Sequence, residues 1–268
     1  MPSRYLINPG TQVDFSQIDT RDDGLHPVGK EQGNTILPSL TARLGELQEL
    51  LYAEKKHKIL VIFQAIDAGG KDGTIRKVFA DTDPAGVRVK SFKKPDENEL
   101  DRDYLWRIHY RVPRRGKIAI FNRSHYEDIL AVRVKKLAPE SVWSKRYEHI
   151  NAFEKMLSDE GTTIVKLFLL ISHKEQGKRL QARLDDPEKY WKFNVDDLDD
   201  RARWPEFMTA FQDMITQTST DHAPWHVIPA DRKWHRNLIV TQLMINALEA
   251  LDMQYPEINF DPSKIVID

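Results

Sequence analysis

The chain has 268 residues, 40% of them hydrophobic, and no cysteine; it can bury one large core, and disulfides, thiolate metal sites and cysteine nucleophiles are excluded. The formal charge is only -1, but seventeen Lys and Arg against ten Asp and Glu fall between Lys71 and Lys136, a middle third suited to a polyanion. No apolar run is long enough to span a bilayer and the N-terminus MPSRYLINPGTQVDF lacks a signal-peptide pattern, so the cytosol is the expected location.

Residues 1–39 are polar and carry Gly and Pro, and read as an irregular arm of a single domain rather than a domain of their own. Residues 40–54 (LTARLGELQELLYAE) repeat apolar side chains at helical spacing. Residues 59–65 (ILVIFQA) form a short apolar run between charges and glycines, the signature of a buried parallel strand. A glycine-rich turn and a helix starting near Gly73 follow.

Further strands are expected at 87–91, 118–121, 164–171 and 226–229, with helices between them. Asp96 and Glu99 have capping-box spacing and predict one helix running to Pro113; Ser172 and Glu175 repeat the spacing and open a helix through LQARL. An acidic excess marks residues 185–200. Strands alternating with helices of this length specify an α/β fold with a mostly parallel sheet covered on both faces.

Residues 65–74 read AIDAGGKDGT and lie between the buried strand and a helix, where a kinase holds phosphates. Ala68, Gly69, Gly70, Asp72, Gly73 and Thr74 would form the cradle: glycines admit backbone N–H groups to the anion, the helix N-terminus adds its positive dipole end, and Lys71 reaches the transferring group. Ala65 stands where the usual loop has its first glycine, and Asp72 where it has Ser or Thr. Asp67 and Asp72 would repel phosphate unless a cation lay between them, which argues for a metal on oxygen ligands.

After the basic turn at 113–117, the next strand delivers NRSHYED at its C-terminal end, residues 122–128, the end at which open parallel sheets bind ligands. Asn122 occupies the place of the usual strand-end aspartate, Glu127 and Asp128 are candidate metal ligands, and Arg123 is a planar donor for phosphate oxygens. His125 reads as a packing residue, since phosphoryl transfer needs little base chemistry. Arg107 and Arg111, one helical turn apart, would present a positive face to a polyanion, joined by Arg76, Lys77, Arg114 and Arg115. A nucleoside monophosphate kinase using ATP, a P-loop switch without transfer chemistry and a nucleic-acid binder share parts of this pattern.

GGKDGT, FNRSHYED, RLDDPEKYWKF and STDHAPWHVIPADRKWHRN, in this order and spacing, resemble the polyphosphate kinase 2 family from about Leu40 to the C-terminal SKIVID. The resemblance implies a three-layer α/β/α P-loop kinase fold like that of thymidylate kinase, with a helical lid at about 179–203. It implies that Asp67, Lys71, Arg123, Asp128 and the lid arginine Arg183 serve catalysis, with magnesium, or manganese in its place, on Asp67 and Asp128. Asn122, Glu127, Lys189 and Lys192 are the residues expected at the nucleotide. The Tyr-Glu-Asp ending of the second motif resembles the family's class III enzymes, which accept both AMP and ADP. The partners implied are polyphosphate, nucleotides and further copies of the chain in a homodimer or homotetramer, without nucleic acid or membrane.

Overall fold

The computed structural model describes residues 4–24 and 28–267. Six strands form one sheet in the order β1-β6-β5-β2-β4-β3: β1 (Leu6–Ile7), β2 (Lys58–Gln64), β3 (Val87–Ser91), β4 (Lys117–Asn122), β5 (Thr162–Leu170) and β6 (Trp225–Pro229). All neighbouring pairs are parallel except β1 with β6. β2 lies between β4 and β5, and Ile59, Leu60, Val61, Ile62 and Phe63 are fully buried. A strand covered on both faces has no solvent side to alternate toward, which is why its sequence is a continuous apolar run. Burying each of these side chains contributes roughly 1.5–3 kcal/mol.

Helices α1 (Gly29–Glu54) and α2 (Lys71–Val78) lie on one side of the sheet. The short α3 (Glu97–Leu100) and α4 (Trp106–His109) follow β3. The other face is covered from the segment holding α5 (Glu127–Val134), α6 (Glu140–Trp143) and α7 (Arg146–Asp159), with later support from the helix at Trp204–Thr218. Beyond β5 come α8 (His173–Leu184), a 3-10 turn at Pro187–Lys192, α9 (Asp196–Ala202) and α10 (Trp204–Thr218); α11 (Lys233–Glu249) follows β6 and packs on α1 and α2. Three layers result, as expected.

Two expectations are corrected. The arm does not run to residue 39: α1 already begins at Gly29, and β1 adds an antiparallel edge strand. Gly33 and Pro38 look like helix breakers in sequence, but a Cβ at Gly33 would stand 2.5 Å from Trp234 Cε3, so glycine is what lets α1 close on α11. The single helix expected from Asp96 to Pro113 is two four-residue helices. The capping box at Asp96 and Glu99 is formed, but Asp103 accepts from the amides of Leu105 and Trp106 and starts a new turn there. Side-chain caps of this kind compete with continuous helix.

One polar network crosses the apolar layer. Lys166 on β5 donates to Glu154 (2.7 Å), to the Thr218 carbonyl (2.6 Å) and to the Tyr126 hydroxyl (2.9 Å), so all three ammonium hydrogens are used in a fully buried site. Tyr126 and His125 also reach Glu154 Oε1, at 2.8 and 3.1 Å. Burial alone would push the Glu154 carboxyl up, but Lys166 and His125 outweigh it and hold it below its ordinary value. The network anchors the residue immediately before Glu127 and Asp128.

Candidate active site

The turn after β2 is built by close backbone contacts. Gly69 N donates to the Ile66 carbonyl at 3.0 Å, Ala68 has φ 62° and Gly70, the cap of α2, has φ 100°. A left-handed alanine is uncommon and costs free energy; such residues collect at sites where the backbone shape matters. Arg123, at the end of β4, is also left-handed, with φ 61°, and its amide donates to the Phe63 carbonyl at 3.0 Å. Its side chain is thereby turned across β2, and its Nη2 donates to Asp67 Oδ1. Asn122 Nδ2 donates in turn to Asp72 Oδ1 in the first turn of α2. Two side-chain bridges thus tie the end of β4 to the loop after β2, as expected from strand ends in a parallel sheet.

The electrostatics follow from this pairing. Burial would raise the Asp67 carboxyl, but Arg123 and Lys71 outweigh burial and hold it below the ordinary carboxylate range. Glu127, with Asp67 behind it, keeps Arg123 above the ordinary arginine range. Lys71 is buried, and its Nζ donates to the Ala65 carbonyl at 2.9 Å; desolvation and the nearby Arg123 push its pKa down. Asp128 is different: burial raises its carboxyl to about 6 despite Arg107 and Arg146. Its Oδ2 is buried without a hydrogen-bond partner.

That orphaned oxygen, together with a carboxylate held ionised at Asp67, is hard-oxygen donor chemistry of the kind magnesium takes. Among the described residues no group of three His, Cys, Asp or Glu could hold a metal by itself.

Other expected residues are placed as follows. The Thr74 hydroxyl is buried and donates to the Gly70 carbonyl at 2.9 Å, so it braces the loop from inside α2. Gly73 has open space around its α-carbon, and Arg76 and Lys77 are exposed on α2. Arg183 Nη1 donates to Asp197 Oδ2 and to the Lys192 carbonyl, both at 3.0 Å. Asp197 is raised to about 6, first by burial and then by Asp67, against the pull of Arg183 and Arg123. Asp197 thus bonds to Arg183 and feels the charges of Asp67 and Arg123. Lys189 pairs with Asp186 in its own turn, and Lys192 lies 4.8 Å from the centre of the Trp191 ring; both lysines are exposed.

The shared positive face of Arg107 and Arg111 is not present. Arg107 is buried, donates to Glu99 at 2.9 Å and to the Lys93 carbonyl at 3.0 Å, and acts on Asp128 from within. Arg111 lies beyond the end of α4, over the Tyr110 ring. The physical reason is that α4 ends at His109, so the one-turn spacing is not continued to Arg111. Arg114 and Arg115 are exposed in the turn before β4.

Four residues at the site escaped the sequence reading. Gln176 Nε2 donates to the Asp67 carbonyl at 3.2 Å. Arg179 donates to the Ala68 and Gly69 carbonyls at 3.1 and 3.0 Å, to Ala230 O at 2.6 Å and to Glu175 at 2.8 Å, bolting the loop to α8 and to the end of β6. Arg236, on α11, stands against Gly70. Asp197 is the fourth; the acidic excess at 185–200 was its only signal.

Residues 28–256 match the polyphosphate kinase 2 family model. The chain is 54% identical over 265 residues to an AMP/ADP-polyphosphate phosphotransferase of Meiothermus ruber, covering 99% of each chain. It is 42% identical to an ADP-polyphosphate phosphotransferase of Rhodopseudomonas palustris, covering 95% of this chain and 92% of that one. The crystal structure of polyphosphate kinase 2 from Arthrobacter aurescens TC1 superposes with a TM-score of 0.92 at 42% identity, over 96% of this chain and 92% of that one.

Proposed function

The chain belongs to the polyphosphate kinase 2 family, and from that premise we propose that it transfers phosphoryl groups from inorganic polyphosphate to AMP and to ADP, forming ATP, and runs reversibly. The observation that carries this is the convergence of a glycine loop, Lys71 and the Arg123–Asp67 pair at the C-terminal ends of β2 and β4. Both acceptors are assigned on the relative from Meiothermus ruber, whose name carries AMP and ADP, and on the Tyr126-Glu127-Asp128 sequence.

In the transfer, a terminal phosphate oxygen of the nucleotide attacks the end phosphorus of polyphosphate in line. The bond from that phosphorus to its bridging oxygen breaks, and the shortened chain leaves with the electron pair as a new terminal phosphate. The loose transition state spreads charge over three equatorial oxygens, and little covalent chemistry is asked of the protein. Lys71, released from the Ala65 carbonyl, and Arg123 neutralise those oxygens, with Arg183 brought in from the lid. Asp67 and Asp128 would hold magnesium, or manganese, which supplies charge neutralisation for the phosphates when bound. Closure of the lid, about 179–203, over the loop would exclude water, to which the phosphoryl group is otherwise lost.

The enzyme is assigned to the cytosol, consistent with the finding that no helix among the described residues is long and apolar enough to cross a membrane. Exposed Phe260, Ile265, Val266 and Ile267 support a homodimer or homotetramer. Mass photometry that finds only monomer would remove that part of the proposal.

Purified protein with magnesium, long-chain polyphosphate and either AMP or ADP tests the reading by chromatography of the nucleotides. ATP from both acceptors, with ADP transient on the way from AMP, is the expected result. Product from only one acceptor would keep the family and overturn the dual specificity.

A further inference from the structure

Two arginines meet the phosphate loop at Gly70, and they are in opposite chemical situations. A Cβ on Gly70 would overlap Arg236 Nη1 and would lie 3.3 Å from Arg179 Nη1. The Arg179 guanidinium has spent its donors: Nε on Glu175, Nη1 on the Ala68 and Gly69 carbonyls, and Nη2 on Ala230 and Asp231. It is a bolt. Arg236 donates from Nε and Nη2 to the single oxygen Asn237 Oδ1, at 3.2 and 2.9 Å, and Nη1 donates to none of the described residues.

Arg236 is only 3% exposed and pairs with no carboxylate among the described residues, while Arg179 and Lys233 stand near it. Burial and the Arg179 charge push its pKa down to about 9. A buried guanidinium without a counter-charge is costly to a free protein and is usually paired. The position of this one, against the N-cap of the helix whose dipole faces the loop, gives it a counter-charge when an anion is seated there.

We propose that Arg236 is a direct phosphate contact of the transfer site, its free Nη1 donating to the phosphoanhydride phosphate held on the loop at Gly70. The assignment rests on the function proposed above. It also accounts for Gly70: with no side chain, the residue lets the guanidinium lie against the backbone whose amides cradle the same phosphate. Arg179 then positions the loop from one side while Arg236 touches the ligand.

The test is calorimetric titration of tripolyphosphate, and separately of ADP, into wild type, Arg236→Met and Arg236→Lys, with the Tm of each ligand-free protein. Removing an uncompensated buried charge leaves the Tm of Arg236→Met unchanged or raised. Binding of one or both ligands weakens by about 10- to 100-fold in that variant, as expected for a lost charge-assisted hydrogen bond, and by less in Arg236→Lys. The ligand that loses affinity identifies whether the donor or the nucleotide occupies the contact. Wild-type affinity for both ligands in both variants would overturn the inference alone, as would a lowered Tm in Arg236→Met with unchanged binding in Arg236→Lys, which marks a structural arginine. Failure of wild type to bind either ligand would overturn the proposed function and this inference with it.

Discussion

The Arg123 guanidinium donates to the Asp67 carboxylate across the ends of β4 and β2, so the two strands that deliver the residues proposed for transfer are joined by those residues themselves. Arg123 holds Asp67 ionised and Asp67 fixes Arg123 over the loop. Asp67→Asn therefore leaves the fold intact by circular dichroism but lowers turnover at least about 100-fold, in line with losing an electrostatic contact of the transition state. Wild-type turnover in a folded Asp67→Asn protein would remove Asp67 from the mechanism.

Asp128 titrates in the opposite sense. Its folded pKa of about 6 lies above the ordinary 3.8, so the stability it contributes is present below the unfolded pKa and is lost as pH rises through about 6. Asp128→Asn is expected to raise stability at pH 7.5 by about 1–3 kcal/mol while abolishing most activity. The rise in Tm given to wild type by magnesium should shrink as pH falls from 7.5 to 5.5, since the ion and the proton compete for one carboxyl. An unchanged magnesium effect at the lower pH would place the ion elsewhere.

Gly70→Ala meets both a backbone at φ 100° and the Arg236 guanidinium. A destabilisation of about 1–3 kcal/mol in urea unfolding is expected, together with loss of tripolyphosphate binding. Gly73→Ala, with open space at that position, serves as the control and should cost far less.

How far the sequence reached depends on the range of the interaction. The apolar run of β2 and the loop after it are local patterns, and both were legible; so was the cap at Ser172, which accepts from the Glu175 amide. The start of α1 was hidden because the reason Gly33 is tolerated is Trp234, two hundred residues away on α11. Arg107 and Arg111 misled because α4 stops at His109, which leaves Arg111 outside the helix that would have aligned them. Arg236 lies inside a motif that resembles the family and Arg179 four residues before one, yet their contacts with the loop exist only once α8 and α11 pack beside β2. Tertiary juxtaposition decides such roles, and periodicity carries no record of it.

The buried Lys166 network makes a separate claim about what holds Tyr126, and with it the start of α5, in place. Lys166→Met alone strands the Glu154 carboxylate in the core and should cost about 3–5 kcal/mol. Adding Glu154→Gln should recover part of that loss, because the stranded charge is removed; urea titrations of the two variants measure the difference. Equal stability of wild type and Lys166→Met would show that the pair is not closed in solution.

Polyphosphate is the proposed phosphoryl donor. The most direct measurement is label transfer: polyphosphate carrying radioactive phosphorus is incubated with magnesium, enzyme and unlabelled AMP or ADP, and the nucleotides are separated. Label is expected in the β-phosphate of ADP formed from AMP and in the γ-phosphate of ATP formed from ADP, arriving at least about 100-fold more slowly when Asp67→Asn replaces wild type. Unlabelled nucleotides from polyphosphate, alongside phosphorylation of AMP by ATP, would contradict it and make the protein an ordinary nucleotide kinase.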